Sequence, residues 1–269
     1  MLSVGCQTYT WEMIGGKWSG SVDDILRAIA DSGYQGIEIT NTMIREYADR
    51  PKEFRSALDA HGLSLAAFAY ASPLGFTDPA NYAHELEGAE KALRFVVEFP
   101  GVPLMLGGAS SPIRQNLTEK IAQAANYYNE VGRRGRRVGV KVAFHPHSHH
   151  GSVLESREDY DRIMGLTDPT LVQWNPDTGH IVRGGQDLVD TLRRFQARII
   201  HMHLKDADAD NKWQPLGQGI CGIPAVLNFL EQEAKFSGWV VAEEESASAV
   251  ASPEKAIAAN RQFLKSIGH

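Results

Sequence analysis

Cysteine is nearly absent: Cys6 and Cys221 are the two in 269 residues. They are too few and too far apart for a disulfide framework or a metal-spaced pair. A chain of this length buries a large core without such staples, so a metal site here is expected to be functional rather than structural. Positive charge is also in deficit, with 27 Lys and Arg against 33 Asp and Glu and a formal net charge of −6. That argues against a nucleic-acid backbone as partner. The one basic run, Arg133-Arg134-Gly135-Arg136-Arg137, falls at the end of an expected helix, where cations complement the helix dipole. No apolar run is long enough to span a bilayer, and Met1-Leu2-Ser3-Val4-Gly5 has neither a basic leader nor an apolar signal core. A cytoplasmic protein with no membrane partner is expected. No Gly-x-Gly-x-x-Gly or Walker-type loop follows an expected strand, which disfavours nucleotide binding. With no linker or low-complexity tract either, a single domain over residues 1–269 is expected.

What is present is the composition of an ordinary globular protein, 43% hydrophobic and 22% charged. Short β-like runs alternate with longer amphipathic segments. The expected strands are Ser3–Thr8, Gln35–Thr40, Leu63–Ala69, Val102–Leu106, Val140–His145, Leu171–Asn175, Arg198–His203 and Trp239–Glu243. Val140-Lys141-Val142-Ala143-Phe144 has the near-continuous apolar character of a strand buried on both faces. Capping boxes are expected at Ser21/Asp24 and Ser156/Asp159, a cap with an N1 proline at Ser252-Pro253, and a left-handed C-terminal residue at Gly62. Eight strand–helix units predict a parallel sheet. This α/β chain has the right length to close it into a (β/α)8 TIM barrel, an open doubly wound sheet being the other solution.

A barrel places its active site at the C-terminal strand ends, and the unusual polar residues collect there. Strand five ends in Phe144-His145-Pro146-His147 and strand six in Trp174-Asn175-Pro176-Asp177-Thr178-Gly179-His180. Strand seven ends in His201-Met202-His203-Leu204-Lys205-Asp206 and strand eight in Ala242-Glu243-Glu244-Glu245. Residues two apart on a strand share a face, which pairs His145 with His147, His201 with His203, and Glu243 with Glu245. One imidazole or carboxylate from each of four strands then suits a borderline-to-hard divalent ion with open positions. Blander roles are expected for others: capping or hydrogen bonding for His149 and His150, an outward face for Glu244, and turn or cap duty for Asp206 and Asp208. Trp11, Phe68, Tyr70 and Trp174 are candidates to stack on a sugar ring, with barrel core as the alternative for each. Trp213 lies in a long loop ahead of Leu216-Gly217-Gln218-Gly219, and loops of that length often act as lids.

Several stretches resemble the xylose-isomerase-like barrel superfamily, which includes sugar-phosphate isomerases and epimerases, ketose 3-epimerases and inosose dehydratases. They are Asp177-Thr178-Gly179-His180, His201 to Asp206, Leu216-Gly217-Gln218-Gly219, Gly238-Trp239-Val240-Val241-Ala242-Glu243, and the opening Gly5 to Trp11 and Gly33 to Glu38 segments. The resemblance implies a metal held by Asp177, His203, Glu243 and a fourth ligand at His145, with His180 as the family's supporting histidine. Isomerases and epimerases usually have Glu before the proline at the fourth position; here Pro146 is kept and the Glu is not. The arginine that ketose epimerases carry beyond the metal histidine is replaced by Lys205-Asp206, closer to inosose dehydratases.

The implied cofactor is a divalent ion, Mn2+ first, with Mg2+, Co2+, Fe2+ or Zn2+ also suited. The implied substrate is a sugar, an inositol or a keto-glycoside, without phosphate, turned over by a homo-oligomer. The leading activity is isomerisation or epimerisation by proton transfer next to a carbonyl. The alternative is a lyase, either an inosose-type dehydratase or an eliminase of a 3-keto-glycoside. Glu243, His145, His180 and Lys205 are the expected catalytic groups, and Trp11, His147, Trp174, His201 and Glu245 the expected substrate contacts. Epimerases commonly use two equivalent glutamate bases, whereas Glu243 with His145 is an unequal pair better suited to elimination. The third and lowest-ranked alternative is a DNA-repair nuclease, because endonuclease IV shares the barrel; its extra metal ligands are not evident in this sequence, and the chain is acidic where that enzyme needs a basic surface.

Overall fold

The computed structural model describes residues 2–148 and 151–269. Its first strands are β1 (Ser3–Gln7), β2 (Gly36–Thr40), β3 (Ser64–Tyr70), β4 (Leu104–Leu106) and β5 (Val142–Phe144). There follow β6 (Val172–Trp174), β7 (His201–Leu204), the two-residue β8 (Asp206–Ala207) and β9 (Trp213–Gln214), and β10 (Trp239–Ala242). The helices are α1 (Tyr9–Glu12), α2 (Val22–Ser32), α3 (Pro51–Ala60), α4 (Tyr82–Val96), α5 (Leu117–Arg137) and α6 (Arg157–Leu166). The later ones are α7 (Thr178–Arg183), α8 (Leu188–Phe195), α9 (Ile223–Asn228), α10 (Ala247–Ala251) and α11 (Pro253–Ser266). His149 and His150 lie outside the described residues.

Local chemistry sets where helices begin. Ser21 Oγ accepts the Asp24 N–H at 3.2 Å while the Asp24 carboxylate accepts the Ser21 N–H at 2.9 Å, closing the expected capping box. Ser156 and Asp159 repeat it at 3.2 and 3.0 Å. Each such cap is worth about 1 kcal/mol. Gly62 follows α3 with φ +66°, the left-handed stop its sequence position predicts. At Ser252 the expectation is half right: Pro253 opens α11, but the Ser252 side chain makes no cap bond. Its backbone N–H is instead spent closing α10 onto the Ser248 carbonyl at 2.9 Å.

Contacts divide the chain into two compact units, one formed by residues up to Ala67 with His201–His269, the other by Phe68–Ile200. In the first, β1 pairs in parallel with β2 and β10, and β10 with β7, setting Gln7 opposite Glu38 and Val241 opposite His203. Val22, Ile25, Leu26 and Ile29 of α2 form a fully buried stripe at helical spacing, each side chain contributing about 1.5–3 kcal/mol by burial. In the second unit β3, β4, β5 and β6 pair in parallel. There Ile121, Ala124, Tyr128 and Val131 form the buried stripe of α5. Eight parallel strands with intervening helices are thus in the order of a (β/α)8 barrel. Among the described residues no helix is long and apolar enough to cross a membrane.

The middle strands start later than their apolar runs suggest, for one reason. Their first residues still close the preceding turn: Val102 N–H bonds to Phe99 O, Val140 to Gly135 O, Leu171 to Asp168 O and Ile199 to Gln196 O. These bonds leave three-residue ladders in β4, β5 and β6.

Candidate metal and proton-transfer site

In the first unit, His201 and His203 share a face of β7 and meet Glu38 from the middle of β2. Glu38 Oε2 lies 2.7 Å from His201 Nε2 and 2.8 Å from His203 Nε2. The other nitrogen of His203, Nδ1, is 2.6 Å from Glu243 Oε2, just past the end of β10. Burial alone would discharge His203, but the carboxylates of Glu38 and Glu243 hold it up to about 10. Glu38 is disfavoured as an anion by burial, yet the two imidazoles pull it well below the usual carboxylate range. His201 is pushed down by burial, against the pull of Glu38. Lys205, buried at 1% exposure, donates from Nζ to Glu243 Oε1 at 2.9 Å and to Glu245 Oε1. Burial raises Glu245 to about 7, with Lys205 opposing and Glu243 adding to the rise. The Lys205 ammonium also sits 4.8 Å from the centre of the Trp213 ring. Tyr9 borders the cluster, where burial and then Glu245 lift its phenol to about 12 and keep it a neutral donor.

In the second unit, His145 leaves the end of β5 and directs Nδ1 at the Asn175 carbonyl oxygen, 3.2 Å away. A carbonyl only accepts, so Nδ1 carries the proton and Nε2 the lone pair. His180 has the opposite tautomer: the Ser148 N–H donates to its Nδ1 at 3.0 Å, so the ring proton is on Nε2. Asp177 is fully buried and caps α7, its Oδ1 accepting the His180 N–H at 2.8 Å. His147 is half-buried, its ring centre 4.8 Å from that of His145 and 5.0 Å from that of His180.

Several expectations need correction. Trp174 is fully buried and edge-on to Tyr160 of α6 and Phe195 of α8, so it packs the helix-facing core with no face for a substrate. Phe68 packs on Phe95 of α4, and Tyr70 donates its hydroxyl to the Glu85 carbonyl of the same helix; both face the helices too. Trp11 is buried at 1% exposure, no more than His203 and Lys205, and its burial does not overturn the expectation. Glu244 does point away from its neighbours, but into a buried niche, accepting from Asn260 Nδ2 at 2.6 Å and Ser246 N at 2.7 Å. Asp208 is the expected turn former, accepting the Asp210 and Lys212 N–H groups. Asp206 is not: it opens the β8–β9 ribbon and accepts the N–H groups of Gly217, Gly219 and Cys221, tying down the loop expected to be a lid.

Glu38 and Tyr9 were not singled out from the sequence. The signal for Glu38 was an acid between Ile37 and Ile39 in a strand whose five residues are all buried. The donor chemistry fits a borderline-to-hard divalent ion. His145 presents a lone pair on Nε2, and the ring of His203 lies between two carboxylates. Backbone carbonyl and carboxylate partners of this kind commonly orient metal-binding imidazoles.

Comparison with known proteins agrees with this architecture. An inosose dehydratase from Clostridium tetani is 28% identical over 270 residues, covering 90% of this chain and 88% of that protein. The crystal structure of IOLI protein with a bound zinc atom superposes with a TM-score of 0.81 at 17% identity, covering 99% of this chain and 98% of that one. That of 3-keto-D-glucoside 4-epimerase, YcjR, from E. coli gives 0.76 at 17% identity, covering 97% and 100%. The family model of the xylose isomerase-like TIM barrel matches residues 26–267, running through both compact units. The chain therefore belongs to the xylose isomerase-like TIM barrel family.

Proposed function

We propose that this protein is a metal-dependent carbon–oxygen lyase that dehydrates an inosose-like ring ketone. The observation that carries the proposal is Lys205 Nζ, hydrogen-bonded to both Glu243 and Glu245 in a buried setting. This arrangement sets a proton acceptor and a proton donor side by side, as elimination requires. The inosose dehydratase relatives, similar along most of their length, support the same class. His145, Asp177, His203 and Glu243 are the proposed ligands. Mn2+ is the first candidate ion, and the zinc of IOLI protein makes Zn2+ the second. A bound divalent ion would polarise the ketone and its neighbouring hydroxyl.

The chain's own groups then divide the proton work. The carboxylate of Glu243 takes the proton from the carbon next to the carbonyl. The electron pair of that C–H bond forms a C=C bond, and the C–O bond at the β carbon breaks. The departing hydroxide takes a proton from the Lys205–Glu245 pair and leaves as water, so one substrate gives one enone and one water. His180, with its proton fixed on Nε2, donates a hydrogen bond to a substrate oxygen. Isomerases and epimerases share the first step, but they return the proton to carbon.

Product analysis separates the two outcomes. Incubating the Mn2+-loaded enzyme in D2O with inosose and a panel of ketoses should give a new enone or diketone absorbance with inosose. Recovery of a deuterated isomer with no such absorbance from any substrate would replace the lyase with an isomerase.

A further inference from the structure

Glu38 is a buried acid that the proton-transfer scheme does not use. At 1% exposure it lies inside β2, where an apolar side chain would pack without desolvating a charge. Its position makes sense through what it touches. One oxygen, Oε2, meets Nε2 of both His201 and His203, and Oε1 is 3.5 Å from Gln7 Nε2. His203 is thus gripped at both ends of its ring, by Glu38 at Nε2 and by Glu243 at Nδ1.

We infer that Glu38 is a positioning residue for the metal, acting through His203. A carboxylate only accepts, and His203 faces one at each nitrogen. An ion held beside Glu243 would take the place of the Nδ1 proton, while Glu38 keeps the proton on Nε2 and so fixes Nδ1 as the nitrogen that ligates. Negative charge behind the ring also makes Nδ1 a stronger donor, and loss of such a partner typically weakens metal binding about 10- to 100-fold. His201 shares the charge of Glu38 and holds it in place; on this account it is not a substrate contact. The inference rests on the proposed ligand set.

The test titrates metal-stripped wild type, Glu38→Gln, Glu38→Leu and Asp177→Ala with Zn2+ against a competing chelator. Glu38→Gln, nearly isosteric, keeps one acceptor and should fall at the lower end of that 10- to 100-fold loss, about tenfold. Glu38→Leu should fall at the upper end. In Zn2+-loaded protein labelled with 15N-histidine, wild type should show His203 protonated on Nε2, and Glu38→Leu should lose that single tautomer, a signature that destabilisation alone does not produce. A folded Glu38→Gln with wild-type Zn2+ affinity overturns the inference, whether or not Glu38→Leu folds. If Asp177→Ala loses Zn2+ while Glu38→Gln does not, Glu38 alone is at fault. If Asp177→Ala also binds as wild type, the ligand set fails first.

Discussion

Lys205 sets the charge balance of the acidic cluster in the first unit, flanked by Glu243 and Glu245 and covered by Trp213. Replacing it with Met removes the cation and leaves two buried carboxylates facing each other. Breaking a buried pair in this way costs about 3–5 kcal/mol, and under the proposed mechanism the donor for the leaving hydroxyl goes with it. Lys205→Met should therefore lower the melting temperature and abolish most turnover while the metal ligands remain. A stable Lys205→Met protein with full kcat would remove Lys205 from the mechanism. His145, Asp177, His203 and Glu243, the proposed ligands, draw attention in the sequence because polar residues at the ends of apolar strands have few structural roles. Glu38 was hidden by its own strand. Ile37-Glu38-Ile39 alternates like a half-exposed strand, and only a sheet covered on both faces turns that acid inward. Trp174 misled because its place near Asp177 in sequence says nothing of its side of β6, which the contacts with Tyr160 and Phe195 decide.

Among the elements, the β8–β9 ribbon and the loop behind it are the least foreseeable from sequence. Asp206 accepts the N–H groups of Gly217, Gly219 and Cys221 at 2.9, 3.1 and 3.0 Å. Glycine at 219 is required by the close approach, since a Cβ there would run into the Asp206 carboxylate and the Ala207 carbonyl. The same ribbon carries Trp213 to its place over Lys205. Asp206→Ala should free the loop, giving faster amide hydrogen exchange over residues 213–222 and a rise in KM larger than the fall in kcat. Unchanged exchange in that segment would mean that the carboxylate does not hold the loop. The helices that begin with Ser21 and Ser156 were readable because capping is a local code. The ribbon was not, because its register depends on hydrogen bonds to residues eleven to fifteen positions away.

For the whole molecule, length and alternation were enough to indicate a (β/α)8 barrel, because few other architectures accommodate eight strand–helix units. The substrate was not legible to the same degree, since it depends on loops and on which polar groups face the reacting atoms. The core is apolar in both units, with Ile25, Leu26 and Ile29 in one and Val142, Phe144 and Ile163 in the other all fully buried. A core of this kind folds without the ion, which can add stability only through mass action when it binds. Asp177→Ala separates fold from function most directly. Metal content after dialysis, thermal melting and turnover of inosose are measured on this variant and on wild type in parallel. The account predicts that Asp177→Ala melts cooperatively at close to the temperature of metal-free wild type, retains no stoichiometric ion and forms no enone product. Stoichiometric metal with full turnover in Asp177→Ala would contradict it.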